Sequence, residues 1–283
     1  MAGKVAVITG ANKGLGFAVV KALCQKYDGT IYLTARDKNR GLDAVETLKE
    51  IGLNPVFHQL DISDYNSVKK FAEFIKAKHG GVDVLVNNAA ILEWDEVYPT
   101  YKAAKRSIDI NYRSLLAIEE YLYPLLREEA RVVNVSSPCA HLSNLKNNKW
   151  INILKDPNLR VEEINEFVDE YLESVKNKTF NKSDFADDGK HAEYRVSKIA
   201  FTALSMLQQR KYPKISINAV YPGHLKTDMA NGGGKVEAEE AAKFILYLIL
   251  DAQSVLKGKF FWDNWQIIDW LDSKADLGIP SVW

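Results

Sequence analysis

Short, nearly continuous apolar runs alternate along the chain with longer stretches in which apolar residues recur every three or four positions. The first pattern predicts strands and the second predicts helices. Val5 to Ile8 is the earliest run, rich in β-branched residues as a strand buried on both faces of a parallel sheet would be. Further strands are predicted over 30–35, 55–60, 82–86, 131–137, 215–220 and 258–262. Helical periodicity begins at Leu15 and returns over 39–50, 63–78, 101–126, from Tyr194 onward, and over 236–250. Strand followed by helix, repeated throughout, predicts an α/β fold: a doubly wound, mainly parallel seven-stranded sheet with helices on both faces, in a single domain over 1–283. The region at about 138–190 breaks the alternation. It is polar except for Ile164, Phe167, Val168, Tyr171, Leu172 and Val175, spaced to share one helix face, and it reads as a helical insertion.

Charge and composition narrow the function. Lys plus Arg and Asp plus Glu number 37 each, without a long basic run, so no nucleic-acid partner is expected. The first apolar run is broken by Thr9 and Gly10 and does not resemble a signal peptide, and the apolar run from Phe244 to Leu250 is too short to span a bilayer. No membrane association is expected. The two cysteines, Cys24 and Cys139, are far apart and lie outside metal-ligand spacing, which suits a reducing compartment, the cytoplasm by default. No metal site is expected either.

Three glycines follow the first strand at once: Gly10, Gly14 and Gly16. Gly10 can turn the chain, and Gly14 and Gly16 admit close approach of a ligand and a neighbouring strand. A strand, a glycine turn and a helix start present free N–H groups and partial positive charge, a site for a pyrophosphate and hence a dinucleotide. At the end of the second strand stands Arg36, where an acidic residue would bind the ribose of NAD. Small Ala35 leaves room, and Arg36 with Lys13 supplies cations for a 2′-phosphate, so the cofactor expected is NADPH/NADP. Each such contact is worth about 1.5–3 kcal/mol. Asp37 is read as a solvated turn residue.

Tyr194 and Lys198 stand four apart on a predicted helix and so share a face. An ammonium beside a phenol favours the phenolate and lowers its pKa, which makes a usable acid–base group. Ser137 ends the fifth strand at the carboxyl edge of the sheet, where ligands bind in such folds. The set Thr9-Gly10 to Gly16, Asn87-Asn88-Ala89, Asn111, Ser137, Tyr194, Lys198 and Pro222-Gly223 resembles the short-chain dehydrogenase/reductase family, in family order over nearly the whole chain. Within it, Gly10-Ala-Asn-Lys-Gly14, His58-Gln-Leu-Asp-Ile62 and Thr227-Asp-Met229 are similar to the monomeric NADPH-dependent carbonyl reductases. Ala90 stands where the family has glycine.

The resemblance implies a Rossmann-type fold and a catalytic set of Asn111, Ser137, Tyr194 and Lys198. Tyr194 would be the general acid, Ser137 would stabilise the carbonyl oxygen, Lys198 would bind the nicotinamide ribose and tune Tyr194, and Asn111 would hold a water relaying protons to Lys198. The cofactor would be held by Gly10, Asn12, Lys13, Gly14, Leu15, Gly16, Arg36, Asp61, Ile62, Asn88, Ala89, Tyr194, Lys198, Pro222, Gly223, Leu225 and Thr227. Ile91, Trp94, Ser137, Cys139, His141 and Tyr221 are the candidates for the substrate pocket. Of the histidines near the mouth, His141, His191 and His224 are given surface roles.

The leading expectation is therefore NADPH-dependent reduction of ketones, aldehydes or quinones, small-molecule carbonyls. A dedicated steroid, prenol or retinoid dehydrogenase on the same fold, and a non-catalytic NADP-binding sensor, remain alternatives, although a sensor has no need of the acid. The chain is expected to be a monomer, with the 164–175 stripe covering a helical face of the same molecule; the competing possibility is that the stripe is a dimer interface.

Overall fold

Parallel pairing sets β1 (Val5–Ile8) between β2 (Thr30–Ala35) and β4 (Val82–Asn87), with β3 (Val56–Gln59) outside β2. This is a computed structural model and describes residues 3–93, 99–252 and 256–277, apart from the side chains of Asp187 and Asp188. Beyond β4 the sheet continues through β5 (Leu126–Val135), β6 (Ser216–Val220) and β7 (Phe260–Phe261), all parallel. The order is thus β3-β2-β1-β4-β5-β6-β7, which reverses direction between β1 and β4. The seven predicted strands are all present, and an eighth joins them. This is β8 (Ile267–Ile268), which returns antiparallel against β7 after a turn in which Trp262 N donates to Gln266 O. Two residues are too few to register as a strand by periodicity.

The strand period of two divides the core. Val5 and Val7 face one apolar cluster, and Ala6 and Ile8 face the other. The Ala6 and Ile8 side is covered by α1 (Gly14–Lys26), α2 (Lys38–Glu50) and α9 (Ala238–Leu246). The opposite side carries α3 (Tyr65–His79), α4 (Tyr101–Ile108), α5 (Ser114–Leu122) and α8 (Ala192–Lys211). One helix had been expected over 101–126, but α4 and α5 are separated by a π-helical turn, Asp109–Arg113, and α5 runs into a 3₁₀ turn, Tyr123–Leu125. The second break follows from Pro124, which has no N–H to continue the ladder. The first carries Asn111.

The insertion holds two helices, α6 (Asn148–Leu154) and α7 (Val161–Lys176). All six residues of the predicted stripe are buried in the core cluster shared with α4 and α8. Polar contacts reinforce this seat: Tyr112 Oη donates to Asn165 Oδ1 at 2.8 Å, and Arg113 pairs with Asp169 at 2.5 Å. Burying each large apolar side chain contributes about 1.5–3 kcal/mol, so the stripe alone holds α7 down.

Candidate active site

Where the sheet order reverses, two strand ends separate and leave a crevice at their carboxyl edge. The chain secures this crevice from both sides. Thr9 is buried, and its Oγ1 accepts from the backbone N–H groups of Asn88 and Ala89, each at 3.0 Å. Asn88 Nδ2 donates back to the carbonyls of Thr9 and Gly10 at 2.9 and 3.1 Å. The loop after β1 is thereby stapled to the end of β4. A Cβ on Gly10, whose φ is 61°, would stand 2.8 Å from Ala89, and one on Gly16 would stand 2.6 Å from Asn88 Nδ2. Glycine at both positions is what lets the staple close. Gly16 serves this packing and is not part of the cavity lining. Ala90 is not among the residues with positive φ, so its Cβ costs no backbone strain.

A cavity of about 610 Å³ opens from this loop. At one end lie Arg36, Asp61 and Ile62. Arg40, in the first turn of α2, joins them and was missed because only the strand end was read for the phosphate-binding charge. Asp37, far from being only solvated, caps α2 by accepting from Arg40 N at 3.0 Å. Lys13 stands at the rim in an ion pair with Asp228, Nζ to Oδ2 at 2.7 Å, which holds the Asp228 carboxyl below its ordinary pKa. Asn12, Gly14 and Leu15 line the loop side, and Pro222, Gly223, Leu225 and Thr227 line the wall after β6.

Tyr194 and Lys198 face the other end from one side of α8, and Ser137 reaches it from the loop after β5. All three are buried in the fold yet border the cavity. Ser137 Oγ accepts from Cys139 N at 3.2 Å and stands close enough to Tyr194 to favour its charged form. Lys198 Nζ donates to Val135 O at 2.9 Å and stands 5.7 Å from the Tyr194 ring centre. Among protein groups alone, burial governs both titrations. It pushes the Tyr194 phenol above its ordinary value against the lowering effect of Ser137, and it drives Lys198 down to about 7. Burial thus opposes the charged form of each group, the phenolate of Tyr194 and the ammonium of Lys198.

Asn111 sits in the π turn, outside the cavity lining. Its Oδ1 accepts from Ile91 N at 2.8 Å, and its Nδ2 donates to Ile91 O at 2.9 Å and to Ser197 Oγ at 3.0 Å. Ser197 in turn donates to Tyr194 O at 2.8 Å. The side chain braces the chain after β4 against the turn that carries Tyr194. Of the expected pocket residues, Ile91, Ser137 and Tyr221 line the cavity, and so do Asn88 and Ala89 on the cofactor side. Trp94 lies outside the described residues. Cys139 and His141 are fully buried and do not line it. His141 was given a surface role, but its ring is held inside by Ser143 Oγ at 3.0 Å and Asp269 O at 2.9 Å. The C-terminal segment that supplies Asp269 offers no periodic signal, which is why the sequence did not reveal this burial. No cluster of His, Cys, Asp or Glu suited to a metal occurs among the described residues, and no described helix is long and apolar enough to cross a membrane.

A glycine cradle at the switch point of a parallel sheet, with a buried Tyr-x-x-x-Lys pair beside a serine, defines a nucleotide-dependent dehydrogenase or reductase. The short chain dehydrogenase family profile matches residues 4–148. Carbonyl reductase [NADPH] 1 of Sus scrofa is 36% identical over 278 residues, covering 94% of each chain. The (+)-neomenthol dehydrogenase of Arabidopsis thaliana is 36% identical over 285 residues, 91% of this chain and 95% of that one. Among solved structures, salutaridine reductase from Papaver somniferum superposes with a TM-score of 0.84 at 32% identity, over 92% of this chain and 99% of that one. The chain belongs to the short-chain dehydrogenase family.

The burial of Lys198 has a measurable consequence. Between about pH 7 and its ordinary value of 10.5, the folded lysine binds fewer protons than the unfolded one. This group therefore lowers stability as pH falls through that window and adds a constant cost below it. Lys198→Met removes the cost, so its gain in melting temperature over the parent, without added nucleotide, should be larger near about pH 7.5 than near about pH 10. An equal gain at both would show that the ammonium is not disfavoured.

Proposed function

We propose that this protein reduces ketones, aldehydes or quinones to alcohols with NADPH, using Tyr194 as general acid. The observation that carries the reading is the gathering of Ser137, Tyr194 and Lys198 on one cavity whose lining also includes the glycine loop, Arg36 and Arg40. The residues present fit the cofactor. Gly10 and Gly14, both at positive φ, open the cradle for a pyrophosphate, and Arg36, Arg40 and Lys13 offer charge to a 2′-phosphate. NADPH bound here supplies the hydride.

The chain's own groups do the rest. Because Ser137 Oγ already accepts from Cys139 N, its proton is available to donate to a substrate carbonyl oxygen. Tyr194 donates a second hydrogen bond to that oxygen and releases its proton as the alkoxide forms, so that carbonyl, hydride and proton together give the alcohol. Charged, Lys198 stabilises the tyrosinate left behind and serves the nicotinamide ribose. Asn111 fixes the turn from which Tyr194 acts. Lys13 leaves Asp228 to reach the phosphate.

The protein acts as a cytoplasmic monomer in this reading. Supporting it, Cys24 and Cys139 form no disulfide, and α7 already buries its stripe on the helical face formed with α4 and α8.

Three measurements test these statements. Tyr194→Phe should leave NADPH binding nearly intact and cut turnover at least about a hundredfold, and near-parental turnover would remove the acid from Tyr194. Neutralising Lys13 and Arg36 together should raise KM for NADPH and change that for NADH little, whereas an equal effect on both would mean that neither cation reads the phosphate. Light scattering should give a mass near 31.9 kDa at every concentration; a stable doubling, lost in Phe167→Asp, would make the stripe an interface.

A further inference from the structure

Ser137 and Tyr194 reach one substrate oxygen from different elements, so their spacing depends on whatever joins the loop after β5 to the start of α8. The joint is Arg195, whose side chain is fully buried. Its Nε donates to Lys190 O at 2.8 Å, just before α8, and Nη1 donates to Asn144 Oδ1. The Asn144 amide then donates to Pro138 O at 2.9 Å and His141 O at 3.0 Å. One guanidinium thus grips the turn bearing Tyr194 and, through one amide, the turn that starts immediately after Ser137. The far side of that turn is backed by the C-terminal segment, where Trp270 Nε1 donates to Ala140 O at 2.6 Å. His191, the residue before α8, is held at φ 49°, a left-handed conformation that side chains avoid unless their surroundings impose it.

We propose that Arg195 and Asn144 are positioning residues of the reaction: their linkage sets the distance and angle between the Ser137 hydroxyl and the Tyr194 phenol. This rests on the carbonyl-reductase reading above. Burying a guanidinium is costly, and an apolar side chain of similar volume would fill the same space without that cost. What an apolar side chain lacks is the directional fork that ties two carbonyl-bearing turns together. Productive geometry tolerates little error, and a misplacement of about 1 Å costs about a hundredfold in rate.

The test compares Arg195→Lys, Asn144→Ser, Asn144→Asp and the Arg195→Lys/Asn144→Ser pair with the parent, measuring kcat, KM for a carbonyl, NADPH affinity by fluorescence and the pH profile of kcat. Arg195→Lys keeps the charge but not the fork, and Asn144→Asp keeps an acceptor for Arg195 but loses both donors. Each folded single variant should lose about ten- to a hundredfold in kcat while NADPH affinity stays within about twofold. The pair should lose no more than the worse single, because both break one linkage. The basic limb of the pH profile should shift with the altered Ser137–Tyr194 contact. Near-parental kcat in the folded variants, additive losses in the pair, or a parallel fall of kcat, NADPH affinity and melting temperature would overturn the proposal. Should Arg195→Lys fail to fold, the two Asn144 variants decide it. If the parent reduces no carbonyl, the functional reading fails separately, and hydrogen exchange settles the linkage. The amides of Ala140 and His141, bonded to Ser137 O at 3.0 Å and Pro138 O at 3.1 Å, should then exchange faster in Asn144→Ser, and unchanged protection would sink it.

Discussion

The contact on which the molecule depends is the staple between the loop after β1 and the end of β4. Thr9 and Asn88 exchange hydrogen bonds across the line where the strand order reverses. An open parallel sheet must part its loops there, and an unsecured gap would leave buried backbone groups without partners. Securing it with side chains instead of a strand keeps the crevice open while fixing both lips. The glycine loop, the β4 end and, through Ile91 and Asn111, the start of α8 all take their positions from that junction.

The opposite end is organised by burial. α8 is covered along nearly its whole length, which places a phenol and an amine in a dry setting where neither readily ionises alone. Such a setting suits a group that must hold its proton until negative charge develops beside it. The insertion belongs to the same arrangement, since α7 covers the outer side of α8 and keeps water from its back.

Much of this was legible in the residues. The central strands announce themselves because they are buried on both faces, as in Val5 to Ile8, and Gly10, Ser137, Tyr194 and Lys198 fall at strand ends or one helical turn apart, spacings that sequence displays directly. The stripe of α7 was readable for the same reason. Other features were not, because they depend on partners distant in the chain. The pairing of Lys13 with Asp228 spans 215 positions, and His141 is buried only by Asp269 and its neighbours. The π turn at Asn111 leaves the apolar spacing nearly helical, so periodicity passes over it. Tyr194 and Lys198 share a face of α8 as their spacing predicts, but the burial that opposes both charges has no signature in sequence.

The two margins of the sheet carry a further consequence. A parallel sheet exposes unpaired N–H and C=O groups along both outer strands, and these can recruit a strand from a neighbouring chain. Among the described residues, one margin ends in β8, only two residues long and reversed in direction. The other ends in β3, four residues long and preceded by Pro55, which has no N–H to offer. Among the described residues neither margin presents a long template for edge-to-edge growth, so the sheet's own ends limit recruitment of a further strand.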